Sequence, residues 1–206
     1  MIKTQLNTKL LTYNFEELFK KKGYAYFTKG AYNLNIIGIR NNTTSQVSNK
    51  FDDYIVVTYR TNIGEWKRLI FPATTKPGLT VFKNPTNVKG APILVPNQYR
   101  GTWMIGKHRG KYKALCQCKS VKVYRDNNKN DIIDLLPETI DEGMFGINIH
   151  KSSDFRLPDY VNNWSAGCQV LQSLSNFNTL MSLADKQVKQ GLGNKFTYTL
   201  LNASEL

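Results

Sequence analysis

Short apolar runs separated by polar, turn-rich stretches dominate the chain, and this pattern predicts a protein built mainly from β-strands. The runs rich in β-branched and aromatic residues lie at 24–27, 32–40, 53–60, 65–71, 113–125, 131–136, 145–149 and 196–201. Residues 61–64, with the sequence TNIG, separate two of these runs and predict a β-hairpin. The predicted fold class is therefore mainly β (α+β), with two or three helices.

Helix-end signals predict where the helices lie. Asn14 is a favourable N-cap, acids follow it in the first turn, lysines occupy the last turn and a glycine ends the segment. We therefore expect a helix over residues 14–22. A second helix is expected to begin at Ser175 or Asn176 and to carry apolar side chains at helical spacing as far as Val188.

Two stretches rich in proline and glycine interrupt the strand pattern. Residues 84–111 hold four glycines and three prolines, which predicts an irregular excursion, or flap, that carries Tyr99, Trp103 and His108. Residues 72–78 are either a loop that lines a binding site or an ordinary connection.

The composition is that of a folded globular protein, and 206 residues suffice for one sizeable core. No apolar run approaches the roughly 20 residues that span a bilayer, so we expect no membrane span. The N-terminus shows no secretory signal, which predicts synthesis in the cytoplasm. Three cysteines do not make a disulfide framework, and Cys116 and Cys118 lack a second ligand pair at zinc spacing. We expect no metal and no cofactor.

The net charge of +13 is unevenly distributed along the chain. Residues 66–125 contain 13 lysines and arginines and no acid, whereas residues 126–159 contain eight acids and three bases. Such a basic segment favours an anionic partner. Nucleic acid, a carboxylate-bearing peptide and an anionic cell-wall polymer all fit, and so does a basic face that only keeps the protein soluble.

Residues 146–171 carry the strongest candidate chemistry, because they contain both His150 and Cys168. Two short apolar runs flank a polar loop here, so adjacent strands are expected to bring the imidazole and the thiol together. An imidazole in contact with a thiol takes its proton, and the resulting ion pair depresses the thiol pKa. Gly167 permits a sharp turn and suits an oxyanion hole, and Ser165 either contacts the imidazole or closes the turn. Taken singly, a lone cysteine or histidine is most often structural.

The spacing H-x14-S-A-G-C, from His150 to Cys168, resembles the signature of L,D-transpeptidase (YkuD-type) catalytic domains. The resemblance implies a YkuD-like mixed β-sandwich over residues 31–206, preceded by an N-terminal extension at 1–30 with a short helix. It also implies that the cysteine is the acyl-accepting nucleophile, that the histidine is the base, and that Gly167 and the cysteine supply the oxyanion donors.

Two positions depart from the family pattern. Ala166 stands where the family usually has a second histidine, and Val170 stands where it usually has an arginine or asparagine. The acyl acceptor, and the choice between hydrolysis and cross-linking, therefore stay open. The candidate substrate-binding residues are Trp164, Lys76, Trp103 and Tyr99.

The expected function is cysteine-dependent acyl transfer on peptidoglycan stem peptides, by a transpeptidase or a peptidase. Such enzymes normally work outside the cytoplasm, so a chain without an export signal fits a phage-encoded lysin, a virion component or an effector exported by a dedicated system. The alternative is a non-catalytic polyanion-binding or phage structural protein that retains the fold, and Ala166 and Val170 motivate it.

Overall fold

The computed structural model describes residues 3–41 and 46–206, and these residues form four α-helices and eleven β-strands. The helices are α1 (Lys3–Thr12), α2 (Phe15–Lys21), α3 (Leu79–Lys83) and α4 (Leu174–Lys189). The first six strands are β1 (Asn35–Arg40), β2 (Asp53–Arg60), β3 (Trp66–Thr74), β4 (Ala91–Leu94), β5 (Gln98–His108) and β6 (Tyr112–Gln117). The other five are β7 (Val121–Asp126), β8 (Asp141–Gly143), β9 (Ile149–Lys151), β10 (Gln169–Leu171) and β11 (Phe196–Asn202).

Eight strands close into a barrel in the order β1-β11-β5-β6-β9-β10-β3-β2, and β4, β7 and β8 form a separate three-stranded sheet. The β1–β11 and β9–β10 ladders are parallel, and the other ladders are antiparallel. The predicted mainly β (α+β) class is confirmed. No helix among the described residues is long and apolar enough to cross a membrane.

The main core lies between the barrel strands and α4. Leu115, Ile149 and Leu171 come from three neighbouring strands and are fully buried, and Leu180 and Ala184 of α4 join the same cluster. Helix α4 begins earlier than the sequence suggested, because the Ser173 side chain accepts the Asn176 N–H and so caps it. This core holds β9 and β10 in place beneath the candidate site.

A second core joins the N-terminal helices to the barrel. Leu6 and Leu10 of α1 and Phe15 and Phe19 of α2 are buried against the outer side chains of β1, such as Ile37. The predicted helix at residues 14–22 is present as α2, with the Asn14 side chain accepting the Glu17 N–H at 3.2 Å. Helix α1 was not predicted, and Met1 and Ile2 of the predicted extension lie outside the described residues.

The hairpin prediction at residues 53–71 is confirmed by β2 and β3, which pair from Asp53 opposite Ala73 to Arg60 opposite Trp66. The prediction of a strand at 24–27 is wrong. Tyr24 and Tyr26 pack edge-on against Phe19 there, and the Gln98 and Asn35 side chains, rather than a neighbouring strand, accept the backbone N–H groups of Ala25 and Phe27.

The prediction of an irregular flap at 84–111 is also wrong, because β4 and β5 occupy most of this range. Gly106 lies opposite Ala114, and a Cβ at Gly106 would lie 3.2 Å from Cys116 Sγ, so the glycine permits close strand packing. The predicted strand at 113–125 is divided into β6 and β7. Residues 131–136 form no strand, and only Ile132 makes an isolated bridge, to Gln46.

Candidate active site

The candidate chemistry lies on one face of the sheet formed by β5, β6, β9 and β10, which we call the site face. The parallel register pairs His150 with Val170. Side chains alternate along a strand, so Asn148 and Cys168, each two residues earlier, project to the same side as this pair. Cys168 and His150 are therefore diagonal neighbours, whereas Ile149 points into the core. The side chains considered on this face are His108, Tyr112, Cys116, Asn148, His150 and Cys168.

His150 is buried and neutral. Its Nδ1 lies 2.6 Å from the Lys151 carbonyl oxygen, and because a carbonyl only accepts, Nδ1 carries the proton and Nε2 carries the lone pair. The Tyr112 hydroxyl lies 3.2 Å from the same Nδ1. Burial first, and His108 second, lower the pKa of His150 to about 3. Within residues 3–41 and 46–206, Nε2 has no hydrogen-bond partner, so this nitrogen is available as a base.

His108 stacks on His150, with ring centroids 4.1 Å apart and an interplanar angle of 25°. Asn148 orients it: Oδ1 accepts the Gln117 N–H at 2.9 Å, which leaves Nδ2 to donate to His108 Nδ1 at 3.0 Å. Burial, and then the charge of Arg109, lower the pKa of His108. Two neutral imidazoles therefore lie face to face in the site.

Cys168 is half-buried and its thiol is neutral. Its Sγ accepts the backbone N–H of Asn148 at 3.4 Å and donates to the Gly146 carbonyl oxygen at 3.4 Å. Burial raises the pKa of Cys168 to about 11, although the Asn148 N–H and the Arg109 charge oppose the increase. No hydrogen bond joins Cys168 to His150 in the described part of the chain. The expected ion pair with a depressed thiol pKa is therefore not present in the free protein.

Ser165 closes the turn before the cysteine, which decides between its two predicted roles. Its buried hydroxyl donates to the Cys168 carbonyl oxygen at 2.8 Å and accepts the Gly167 N–H at 3.2 Å. The Gly167 N–H is thus engaged, whereas the Cys168 N–H makes no hydrogen bond among the described residues. Gly167 has φ +117, and a Cβ there would lie 2.8 Å from the Pro92 carbonyl oxygen, so only glycine fits.

A cleft of about 570 Å³ opens beside His150. Trp164, whose role in substrate binding stays a prediction, lines the cleft and packs against the cluster of Phe51, Val161 and Val170. The β5–β6 hairpin lines one part of the cleft with His108, Arg109, Lys111 and Tyr112, and the segment after His150 lines another with Lys151, Asp154 and Arg156. Cys168 is not among the residues that line the cleft.

Trp103 and Tyr99 do not reach this cleft, contrary to their predicted roles in substrate binding. Both are buried in the main core, where they belong to β5. Trp103 Nε1 donates to the Ile147 carbonyl oxygen at 2.7 Å, and the Tyr99 hydroxyl donates to the Val95 carbonyl oxygen at 2.7 Å. Their aromatic character reflects core packing rather than ligand binding.

Lys76 is also buried away from the cleft. Its ammonium group donates to the Asn41 carbonyl oxygen at 2.9 Å and pairs with Asp53 at 3.2 Å and Asp52 at 3.5 Å. The 72–78 stretch that carries it is largely the end of β3 and a buried connection to α3. The interpretation as an ordinary connection therefore fits Lys76 better than that of a substrate-lining loop.

Tyr112, Asn148 and Arg109 were not predicted from the sequence as site residues. A signal for two of them existed, because Gly110 lies between two alternating runs and indicates a hairpin that carries Arg109 and Tyr112. For Asn148, the spacing of two residues from His150 places both on one strand face. The β5–β6 hairpin was missed because residues 84–111 were predicted to be an irregular flap.

The basic segment at 66–125 is partly neutralised within the protein. Arg125 pairs with Asp141 at 3.1 Å, and Lys89 pairs with the same carboxylate at 3.3 Å. Lys113 pairs with Asp185 at 2.6 Å. Asp141 and Asp185 thus neutralise part of the basic segment, so the whole segment does not form one free cationic face.

Within the described ranges, no cluster of three or more His, Cys, Asp or Glu side chains could hold a metal ion. No family model, curated protein or solved structure matches the chain.

Proposed function

We propose that the protein is a cysteine-dependent acyl transferase or peptidase of the L,D-transpeptidase type, which acts on peptidoglycan stem peptides. The observation that carries the proposal is the register of the parallel strands β9 and β10, which makes Cys168, directly before β10, a diagonal neighbour of His150 in β9, whose Nε2 has no hydrogen-bond partner among the described residues. The H-x14-S-A-G-C spacing supports the same family. A YkuD-like fold over residues 31–206, after the extension at 1–30, is part of this proposal, although the main sheet closes into a barrel rather than forming the expected mixed β-sandwich.

His150 acts as a general base rather than as one half of a preformed ion pair. The thiol and the imidazole are both neutral in the free protein, because burial raises the pKa of Cys168 and lowers that of His150. Substrate binding must therefore reduce this pKa difference and bring the thiol to Nε2, so that the proton moves only while the sulfur attacks the substrate. Hydrogen bonds between catalytic groups are often long in free enzymes and tighten on substrate binding.

The reaction has two balanced steps. In the first, Cys168 Sγ attacks a peptide carbonyl carbon, a C–S bond forms, the C–N bond breaks, and the thiol proton passes through His150 to the leaving amine. In the second, water or an acceptor amine attacks the thioester and gives its proton back through the same imidazole, which regenerates the thiol. The unpaired Cys168 N–H suits the developing oxyanion. Ser165 and Gly167 hold the turn that positions this N–H group.

A non-catalytic polyanion-binding or phage structural role is the second candidate. The raised pKa of the buried Cys168 thiol favours it, as do Ala166, which packs in a small apolar cluster, and Val170, which is fully buried. Binding to nucleic acid would weaken steeply with salt, because neutralised phosphates release counterions. Salt-independent binding, or loss of the biological role in a Cys168→Ala protein, would count against this candidate.

The site of action follows from the proposed substrate. Peptidoglycan lies outside the cytoplasm, so the protein would act at the cell wall, either during phage lysis, as part of a virion, or after export by a dedicated system. An anionic cell-wall polymer or nucleic acid is a further possible partner of the 66–125 segment.

Mass spectrometry of purified muropeptides incubated with the protein tests the proposal. Wild type should release or exchange a stem-peptide residue, and both Cys168→Ala and His150→Ala should abolish the product. Cys118→Ala is the matched control, because Cys118 lies outside the site face and should be dispensable. Absence of product from every tetrapeptide and cross-linked substrate would refute the proposed activity.

A further inference from the structure

The cleft beside His150 carries an excess of positive charge. Arg109, Lys111, Lys151 and Arg156 line it, and Asp154 is the one acid among the described residues there. Lys151 is already paired with Asp154 and also lies over the Tyr112 ring. In the described part of the chain, Arg109, Lys111 and Arg156 form no ion pair, so three cations remain available to a ligand.

Arg109 is held at the cleft by an unusual backbone conformation. It follows His108 at the tip of the β5–β6 hairpin with φ 49, in the left-handed region that few non-glycine residues adopt. Gly110 continues the turn with φ 72, and the Lys111 N–H donates to the His108 carbonyl oxygen at 2.9 Å. The turn therefore places the Arg109 side chain at the cleft, directly after His108 in the chain and close to the stacked imidazoles.

The two histidines add no charge to this cleft. Burial and His108 lower the pKa of His150, and the charge of Arg109 adds to the effect. A ligand in the cleft thus meets neutral imidazoles on one side and guanidinium groups at the edge. Guanidinium groups match the geometry of a carboxylate and bind it through two parallel hydrogen bonds.

We infer that Arg109 and Arg156 form a carboxylate-binding subsite in this cleft, which holds a free carboxylate of the acyl donor beside His150. The inference rests on the proposed function, because the acyl donor is defined there. The volume of about 570 Å³ lies within the range of small-ligand sites and admits a short peptide. The subsite would select stem peptides with free carboxylates over the same peptides with amidated carboxylates.

Binding measured without turnover tests the subsite. The probe is a synthetic stem tetrapeptide with free carboxylates, compared with the same peptide fully amidated, titrated by calorimetry into the Cys168→Ala protein at fixed salt. We expect the free acid to bind about tenfold tighter or more, which is the usual scale for a charge-assisted hydrogen bond. Arg109→Asn should reduce this ratio toward one, and Arg156→Gln should reduce it in part.

The substitutions are expected to leave the protein folded, so that a change in binding reports the loss of the side chain. Asparagine tolerates the left-handed conformation at position 109, so Arg109→Asn removes the charge and keeps the turn. Arg109→Lys should restore part of the preference. Lys113→Gln is the control for net charge, because Lys113 is exposed and paired with Asp185; it should leave the ratio unchanged.

The outcomes separate this inference from the proposed function. Equal binding of the two peptides, or an unchanged ratio in Arg109→Asn, overturns the subsite even if wild type converts muropeptides. A tenfold preference that Arg109→Asn abolishes supports the subsite, and if wild type then forms no product, only the proposed catalytic activity falls.

Discussion

The alkylation of Cys168 should reveal a half-buried, neutral thiol rather than a thiolate. We consider a protein with Cys116→Ser and Cys118→Ser, so that Cys168 is the only thiol, and measure the initial rate of its labelling by iodoacetamide between pH 6 and 12. Burial raises the pKa of Cys168 from its ordinary value of 9.0 to about 11. Labelling of the folded protein should therefore be half-maximal near pH 11.

The expected rate follows from two opposing effects. An increase of about two pKa units lowers the thiolate fraction at pH 7 by about a hundredfold. A more basic thiolate is a better nucleophile, and a Brønsted coefficient of about 0.4–0.5 restores roughly tenfold. Cys168 in the folded protein should thus react about tenfold more slowly than in the urea-denatured protein, before any steric protection.

Replacing His150 by Ala separates a general base from an ion pair. The charge of His150 does not act on Cys168 in the free protein, so the midpoint of the alkylation profile should stay where it is. The same substitution should abolish turnover, because the base is needed only when the sulfur attacks. A midpoint below pH 8.5 in wild type, or a midpoint that moves in His150→Ala, would refute this reasoning and restore the ion pair.

Three further predictions concern stability. Leu10→Ala should cost about 2–5 kcal/mol in urea denaturation because Leu10 is fully buried, whereas Leu11→Ala, at an exposed neighbour, should cost less than about 0.5 kcal/mol; equal costs would exclude α1 from the cooperative core. Gly167→Ala should destabilise more than Gly146→Ala, since both have positive φ but only Gly167 meets a backbone atom, and a reversed order in thermal unfolding would contradict this. Below pH 6.5, His150 is protonated in the unfolded chain but stays neutral in the folded protein, where burial lowers its pKa to about 3. The free energy of unfolding should therefore decrease by about 1.4 kcal/mol per pH unit between pH 6.5 and pH 3 because of this group, and a His150→Phe protein with the same pH dependence would refute the assignment.

Local patterns predicted the parts of the fold that depend on local chemistry. The β2–β3 hairpin follows from two apolar runs around a short polar turn, and α2 follows from the Asn14 cap. Helix α1 has no acid in its first turn and few apolar residues, so its signal is weak. It is stabilised by tertiary contacts of Leu6 and Leu10 with the barrel, which the sequence pattern does not display.

Strand β5 was predicted wrongly for a different reason, because its sequence resembles a loop. Its glycines look like loop residues in the sequence, yet Gly106 lies in a ladder where close packing against Cys116 requires the absence of a side chain. Once β5 is read as a loop, Trp103 and Tyr99 look like ligand-binding aromatics. Their burial in the core is the consequence of the same strand.

The site itself combines a local and a non-local part. His150 and Cys168 are close in sequence, so the apolar runs on either side of one loop sufficed to predict their proximity. His108 reaches the same site from β5, about forty residues before His150, and its position depends on the registers of β5 with β6 and of β6 with β9. Those registers result from packing across the barrel, which no motif in the chain encodes.

Asn148 forms hydrogen bonds to all the strands whose registers build the site. Its Oδ1 accepts the Gln117 N–H at the end of β6, its Nδ2 donates to His108 of β5, its N–H donates to Cys168 Sγ, and its carbonyl accepts the Gln169 N–H of β10. One residue thus sets the positions of the thiol and of the second imidazole through separate atoms. A shift of β9 by one residue would turn Asn148 and His150 into the core and remove both interactions together. The strand register, rather than the loop that carries Cys168, therefore determines whether the thiol and the imidazoles can act on one substrate.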